Sequence, residues 1–355
     1  MKALILSGGY GTRLRPLTYS QQKQLIPVAN KPVLFYPIED IKAAGIGDIG
    51  IIIGPNKEQI MKIVGDGSRW NVNITFIEQE APLGLAHCVK IAEDFLGDEP
   101  FVMYLGDNIL KGGIIEYVER FKESKADASI LLSKVENPGR FGVAELNEDG
   151  SIKRLVEKPK KPSSNLALVG VYMFTSKIFD AVKNIKPSWR DELEITDAIQ
   201  YLIDHGLKVD SAVVDGWWKD TGKPEDIIEA NHLVLDELTP YNKGTLEDGV
   251  TIRGKVSIGK GTIIHKGSVV KGPVVIGENC EIGPNTYIGP YTSIGDNSKI
   301  TNGEIEYSVI MDNTVIKSRK KIVDSLIGRN VKIFEREQLP KGHRFVIGDN
   351  SEVEV

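Results

Sequence analysis

Residues 252–300 read IRGKVSIGKGTIIHKGSVVKGPVVIGENCEIGPNTYIGPYTSIGDNSKI, and an aliphatic residue returns at every sixth position: Ile252, Ile258, Ile264, Val270, Ile276, Ile282, Ile288, Ile294 and Ile300. Neither a helical period of 3.6 residues nor a strand period of two generates nine consecutive returns at that interval. Glycine follows at Gly259, Gly277, Gly283, Gly289 and Gly295, and Thr262, Ser268, Thr286, Thr292 and Ser298 hold a second fixed slot. The pattern predicts a β-helix, in which one β-branched side chain per short strand points inward and stacks on its copies in neighbouring coils. The period is lost after Ile300, returns at Ile310, Ile316 and Ile322, and slips by one residue to Ile327 and Ile333, so residues 301–309 are expected to form a bulge or loop.

Upstream the chain changes character. Residues 1–243 carry 21 of the 36 glycines, whereas residues 244–303 alone carry 12. Short β-branched runs alternate with helical stretches, beginning with Lys2 to Leu6, then Pro32 to Ala44, then Asp48 to Ile53, with further strands expected at 74–77, 101–105, 128–132 and 168–174. Alternating strands and helices imply a mostly parallel sheet covered by helices. A last helix from Pro224 would place Ile227, Ala230, Val234 and Leu238 on one face and end at Thr239-Pro240, since proline cannot continue a helix. The expected architecture is therefore α/β, with a Rossmann-like, mostly parallel sheet in residues 1–238 and the hexapeptide-repeat domain in residues 239–355. The hexads resemble those of left-handed parallel β-helices. Some helices of that kind carry acyltransferase sites with a histidine at a subunit seam, but only His265 lies in this repeat, and the domain is read as a scaffold and self-association surface.

Composition excludes several classes. The 355 residues are 41% hydrophobic and 26% charged, with 44 basic and 49 acidic side chains and a net charge of −5, as in an ordinary globular protein. No run of like charge offers a footprint for nucleic acid or anionic lipid. No apolar stretch approaches the roughly 18 residues of a membrane span, and the opening MKALILSGG lacks a signal-peptide layout because glycines cut its apolar part short. A cytoplasmic location is expected. Cys88 and Cys280 are the two cysteines, which fits a reducing compartment and argues against a disulfide framework or zinc site.

The first strand runs into Leu6-Ser7-Gly8-Gly9-Tyr10-Gly11-Thr12-Arg13-Leu14-Arg15-Pro16, followed by Lys23 to Val28 and Lys31-Pro32. Three glycines in four positions leave backbone N–H groups free to wrap phosphate oxygens, and Arg13 and Lys23 would supply neutralising charge. The loop is neither a P-loop, which needs GxxxxGK[ST], nor a dinucleotide fingerprint, because Leu14 stands where the third glycine belongs. Ligands of open parallel sheets sit at the carboxyl ends of the strands, where Asp107 follows residues 101–105 and Asp220 lies in Trp217-Trp218-Lys219-Asp220. Two such carboxylates plus substrate phosphates suffice to hold Mg²⁺. Glu157-Lys158-Pro159 adds a carboxylate that can accept two sugar hydroxyls and a lysine for a phosphate.

Taken in order, GGxGTRLxPxT from Gly8, KxxxPVxxKP from Lys23, QxxPxGLA from Gln79, GDN at 106–108, GVAELNEDGSIKRLVEKP from Gly142, ExEITD from Glu192 and WxDTG from Trp218 resemble the sugar-1-phosphate nucleotidyltransferases, in their thymidylyl-transferring form with a β-helix tail. The resemblance spans residues 1 to about 238. It implies transfer of a thymidylyl group from dTTP to glucose 1-phosphate, giving dTDP-glucose and pyrophosphate with Mg²⁺ as cofactor. By the same resemblance, Gly8, Gly9, Gly11 and Thr12 would hold the triphosphate, with Arg13 and Lys23 as the catalytic cations on its phosphates. Gln79 and Gly84 would meet the thymine edge, and Asp107 and Asp220 would ligate the metal. Gly142, Glu157, Lys158 and Val169 would contact the sugar phosphate, with the Glu192–Asp197 segment near the sugar. Leu83 departs from the aspartate that shorter members often carry there.

The implied nucleophile is already an anion, so no general base is needed, in keeping with His87, His205 and His232 forming no acid-base arrangement. Three other readings stand beside this one. Uracil shares thymine's hydrogen-bonding edge, so UTP is an alternative donor. The β-helix could add acyl transfer, and the chain could instead be a sugar-nucleotide-binding regulatory subunit without chemistry. Open coil edges and flat faces lead to the expectation of a homo-oligomer, with a trimer through the helix as one arrangement.

Overall fold

The computed structural model describes residues 1–54 and 57–335; residues 336–355 of the second expected domain lie outside them. By internal packing the chain divides into two compact units, Met1–Leu233 and Val234–Val355.

The first unit is organised by β1 (Lys2–Ser7), five of whose six residues are buried, as befits a strand covered on both faces. It pairs in parallel with β2 (Asp48–Ile53), which pairs in parallel with β3 (Asn73–Glu78), and on its other side with β4 (Phe101–Leu105). A short β5 (Asn108–Leu110) follows β4 directly. Beyond β4 the direction reverses, with β6 (Ala128–Lys134), β7 (Gly142–Leu146), β8 (Ile152–Glu157) and β9 (Leu166–Phe174): the sheet runs β8-β7-β9-β4-β1-β2-β3, and β6 joins off this order by pairing with β9, which is antiparallel to both β4 and β6. The pairing of β9 with β6 is interrupted between Leu168 and Tyr172, which leaves the backbone of Val169 and Gly170 outside that ladder. β10 (Val209–Val213) closes this edge in parallel with β6, and β11 (Trp218–Asp220) pairs with β5 in a separate two-stranded ribbon.

Helices cover both faces, among them α1 (Phe35–Ala43), α2 (Leu85–Ile91) and α3 (Ile195–Asp204). The first of these starts three residues later than its hydrophobic pattern suggested, because Lys31-Pro32 is drawn into a small antiparallel pair with Pro27-Val28. The last helix, α4 (Pro224–Asp236), buries Ile227, Ala230, Asn231 and Leu235, while Val234 and Leu238 are half-buried. The expected face is thus rotated. Asn231 lies on the buried face, where its side-chain oxygen accepts the Ala29 N–H at 2.9 Å, a buried polar contact that no apolar pattern can reveal.

The second unit consists of three stacked parallel sheets, the architecture of a left-handed parallel β-helix. Three hexads make one coil, so pairing partners lie 18 residues apart: Ile264 stands over Ile282 and Ile282 over Ile300, and Ile258, Ile276 and Ile294 form a second stack. Ile264, Ile276, Ile282, Ile288, Ile294 and Ile300 are fully buried. The small second slot faces inward at the corners. There the Thr262 hydroxyl donates to the Gly277 carbonyl at 2.6 Å and accepts the Cys280 N–H at 2.9 Å, tying one coil to the next.

Residues 301–309 are not a bulge or loop. The strand Glu304–Glu306 continues its sheet, and Ile305 stands on Ile288 in full burial. Two five-residue steps, from Ile300 to Ile305 and from Ile305 to Ile310, replace six-residue ones. A strict period points instead to Glu306, which faces outward and pairs with Lys321. His265 lies in a coil with its Nδ1 2.8 Å from Glu247 Oε1. Among the described residues no helix is long and apolar enough to cross a membrane.

Candidate active site

The glycine turn leaves the end of β1. Gly11 has φ 63° and opens a short 3-10 helix, Thr12–Leu14; a Cβ there would lie 3.0 Å from that of Lys23, so both the backbone sign and the space require glycine. The Lys23 stem lies beside Gly9 and Gly11, and its ammonium reaches the Asp107 carboxylate in a largely buried ion pair. The chain thereby sets a cation directly against a loop of unobstructed backbone donors.

Asp107 occupies the turn between β4 and β5, and the β5–β11 ribbon sets Asp220 opposite Asn108. Thr221 seals this junction, donating both its N–H (2.9 Å) and its hydroxyl (2.8 Å) to the Asp107 carbonyl. Two carboxylates distant in sequence become neighbours in this way. Burial alone would raise the Asp107 carboxyl, but the Lys23 charge and hydrogen bonds from Lys23 and Asn108 hold it below the ordinary aspartate range. Asp220 is pushed up to about 6, first by burial and then by the Asp107 charge, with Lys23 and Arg13 opposing. Arg13 Nη2 and Asp220 Oδ2 crowd the same point, each 3.1 Å from where a Cβ on Gly222 would stand. Among the described residues no cluster of three or more metal-ligating side chains occurs. The pair nevertheless suits a divalent cation: one carboxylate already resists ionising beside the other, and a cation shared with substrate phosphates would relieve that repulsion.

Asn108, only 2% exposed, was not singled out by sequence beyond its place in GDN. Its amide nitrogen donates to Asp107 Oδ1 at 2.8 Å and its oxygen accepts the Trp218 indole N–H at 2.6 Å, so the Asp107 carboxylate is held by a chain of hydrogen bonds that crosses the ribbon.

A second group of polar residues forms where β7 and β8 pair. Gly142 lies opposite Glu157, and a Cβ on it would fall 2.7 Å from the Thr196 methyl, so glycine leaves room for the carboxylate that Thr196 Oγ1 approaches at 3.3 Å. Lys158 takes a left-handed conformation, φ 39°, and its ammonium lies 3.4 Å from Glu157. Arg190 joins this group unannounced by any motif, at 3.7 Å from Glu157, 2.7 Å from Glu192 and 3.3 Å from Glu194. Burial raises the Glu157 carboxyl, and Lys158 and Arg190 offset this only in part because Glu194 adds to it. Three glutamates around one arginine accept hydroxyls well, and Lys158 and Arg190 suit a phosphate. The Val169 side chain is fully buried in the core, so what it can offer a ligand is backbone at the interrupted pairing of β9.

Gln79 follows β3 and is buried, with its Nε2 3.4 Å from the Gly84 carbonyl and 3.1 Å from His87 Nδ1. Its Oε1 lies against Gly8, 3.2 Å from where a Cβ would be. Gly84, at φ 103°, opens α2 pressed onto Leu193, whose N–H donates to the Leu83 carbonyl at 2.8 Å and whose carbonyl accepts the Ala86 N–H at 3.0 Å. These bonds tie the Gln79 loop to the segment that carries Arg190, Glu192 and Glu194.

The glycine turn, the acidic pair and the Glu157 group thus all lie within one folded unit. The nucleotidyl transferase family matches residues 2–237, and the GMPPB C-terminal domain family matches residues 270–355. The chain is 51% identical over 357 residues to the low-salt glycan biosynthesis nucleotidyltransferase Agl11 of Haloferax volcanii, with 100% of both chains covered. It is also 51% identical to a glucose-1-phosphate thymidylyltransferase of Streptomyces antibioticus, over 100% of this chain and 99% of that one. A solved structure of a candidate glucose-1-phosphate thymidylyltransferase from Bacillus anthracis, in complex with a sucrose, superposes with a TM-score of 0.64 at 37% identity, covering 68% of this chain and 98% of that chain. With the family spanning residues 2–237 and relatives matching from end to end, the chain belongs to the nucleotidyl transferase family and is a nucleotidyltransferase of its sugar-1-phosphate kind.

Proposed function

We propose that the enzyme transfers a thymidylyl group from dTTP to glucose 1-phosphate, with residues 1–238 as the catalytic domain and residues 239–355 as the β-helix domain. The observation that carries the chemistry is the convergence of Arg13, Lys23, Asp107 and Asp220 beside the glycine turn, where a triphosphate and a divalent metal find both their charges met. The choice of dTTP and glucose 1-phosphate draws on the Streptomyces antibioticus thymidylyltransferase, matched over the whole chain.

In this reading backbone N–H groups of Gly8, Gly9 and Gly11, with Thr12, cradle the triphosphate, and Gln79 and Gly84 meet the base. Glu157 accepts sugar hydroxyls, Gly142 and the Val169 backbone border the sugar, and Lys158 holds its phosphate. A phosphate oxygen of the sugar attacks the α-phosphorus; one P–O bond forms, the α–β bridging P–O bond breaks, and pyrophosphate leaves with the electron pair. No proton moves. Lys23 and Arg13 neutralise the approaching anions and the charge that grows on the leaving oxygen, so positioning and electrostatics do the catalysis. Mg²⁺ held by Asp107 and Asp220 would supply further charge neutralisation at the phosphates.

Pyrophosphate release measured with Mg²⁺, crossing dTTP, UTP, ATP and GTP against a panel of sugar 1-phosphates, tests this. Release that requires dTTP together with glucose 1-phosphate is the expected result. Equal or better release with UTP would move the donor assignment to the uridylyl reading, which the shared imide edge of the two bases favours. Binding without release from any pair would make the chain a regulatory subunit.

We further propose a homo-oligomer built through the β-helix, whose surface exposes Ile263, Val323 and Phe334. Light scattering at micromolar concentration should give a multiple of the chain mass. A monomer there refutes it.

A further inference from the structure

We infer that His87 is a specificity-determining residue: it fixes which end of the Gln79 amide faces the nucleobase. This rests on the reading above that Gln79 meets the base. The Gly84 carbonyl can only accept, and it lies 3.4 Å from Gln79 Nε2, so the amide nitrogen belongs on that side. His87 Nδ1 lies 3.1 Å from the same nitrogen and must then accept as well, which fixes its proton on Nε2. The Gln79 oxygen is left on the other side of the amide, against Gly8 of the phosphate turn.

An acceptor aimed at a pyrimidine selects by hydrogen-bond polarity. Thymine and uracil present an N3–H donor between two carbonyls, whereas cytosine presents an unprotonated N3 beside an exocyclic amine. The observed orientation therefore welcomes the imide bases and sets oxygen against a cytosine lone pair. Protonating His87 converts Nδ1 to a donor facing a donor, so the amide loses one of the two acceptors that fix its orientation; a half-turn that brings Nε2 to the base is then opposed by the Gly84 carbonyl alone, and the preference weakens.

The groups around His87 define where this occurs. Lys90, one turn along α2, is its charged neighbour, while the thiol of Cys88 on the same helix, pushed up to about 12 mainly by burial, stays neutral; Gln79 faces it from the segment after β3. Burial, and then Lys90, hold the imidazole below its usual 6.5, so the imide-selecting state is complete above that pH and is lost only on acidification beneath it.

The test is equilibrium binding of dTTP and dCTP to the full chain by calorimetry, at about pH 8 and at the acidic pH at which NMR of the imidazole shows His87 protonated. The wild-type preference for dTTP over dCTP should fall roughly 10- to 100-fold on acidification. His87→Asn places an amide oxygen near the Nδ1 position and should keep the preference at both pH values. His87→Ala should weaken it already at the higher one. Both nucleotides carry the same triphosphate, and His87→Asn meets them over the same pH range, so their own titration cancels. A wild-type preference that ignores pH, or that falls equally in His87→Asn, overturns the inference. Gln79→Ala separates the two levels: if it collapses the preference while both His87 variants behave as wild type, only the role of His87 is wrong. If Gln79→Ala leaves the preference intact, base recognition lies elsewhere and the inference falls with that reading.

Discussion

Lys23→Ala is expected to lower kcat about 100- to 1,000-fold, equivalent to about 3–4 kcal/mol of transition-state stabilisation, the usual cost of one preorganised charge donor. The argument starts from position rather than charge alone. The lysine stem is fixed against Gly9 and Gly11, and its ammonium is held by Asp107, so it sits beside the glycine turn before any substrate binds. No reorganisation is needed when negative charge builds on the leaving oxygen. Removing it also deprives Asp107 of its main counter-charge while Asp220 stays close, so both carboxylates should resist ionising. Asp107→Asn should therefore lower turnover and raise the Mg²⁺ concentration for half-maximal rate together. Because the two side chains form one ion pair, the double variant should lose clearly less than the sum of the single losses. Initial rates of pyrophosphate release over a Mg²⁺ series read all three variants. Near-normal turnover in both single variants would remove Lys23 and Asp107 from the site, and strict additivity would show that they act separately.

How much of this was legible beforehand follows from which interactions are local. The glycine turn with Arg13 and Lys23 could be read because backbone donors and cations lie within one short stretch. Asp107 and Asp220 could each be read as a strand-end carboxylate, but their adjacency depends on the β5–β11 ribbon, a long-range pairing with no sequence period. Arg190 gave no signal of its own. It matters because Glu157, Glu192 and Glu194 surround it, and only the last two are close in sequence. Asn108 and His87 escaped for the same reason, since each acts by orienting another side chain and not by displaying a reactive group. In the β-helix, the fixed period located the stack but missed Ile305, because a corner can lose one residue without turning the inward position away from its stack. Burial is thus the conserved quantity in that unit, and spacing follows it only while the corners are equal.

That principle sets the expectation for Ile282→Asp, which should abolish the cooperative unfolding transition of the β-helix unit or lower its midpoint drastically. Ile282 is fully buried, with Ile264 stacked on one side and Ile300 on the other. The substitution forfeits about 1.5–3 kcal/mol of apolar burial. It also places a carboxylate among side chains that offer neither charge nor hydrogen bond, at a further cost of several kcal/mol. The neighbours cannot rearrange to help. Each coil is bonded to the next through ladders such as Glu281↔Lys299 and corner bonds such as Thr262 to Gly277, so a strand displaced to carry the new carboxylate out to water would break both its ladders. Stability in a stacked repeat is a sum of nearest-neighbour terms, and a lesion in a middle coil severs the terms on both sides. Ile282→Val removes one methylene and should cost only about 0.5–1.5 kcal/mol, separating lost volume from buried charge. Thermal unfolding followed by circular dichroism compares the three proteins. If the aspartate variant unfolds with the wild type, position 282 faces solvent and the inward stack has been assigned to the wrong side of the strand.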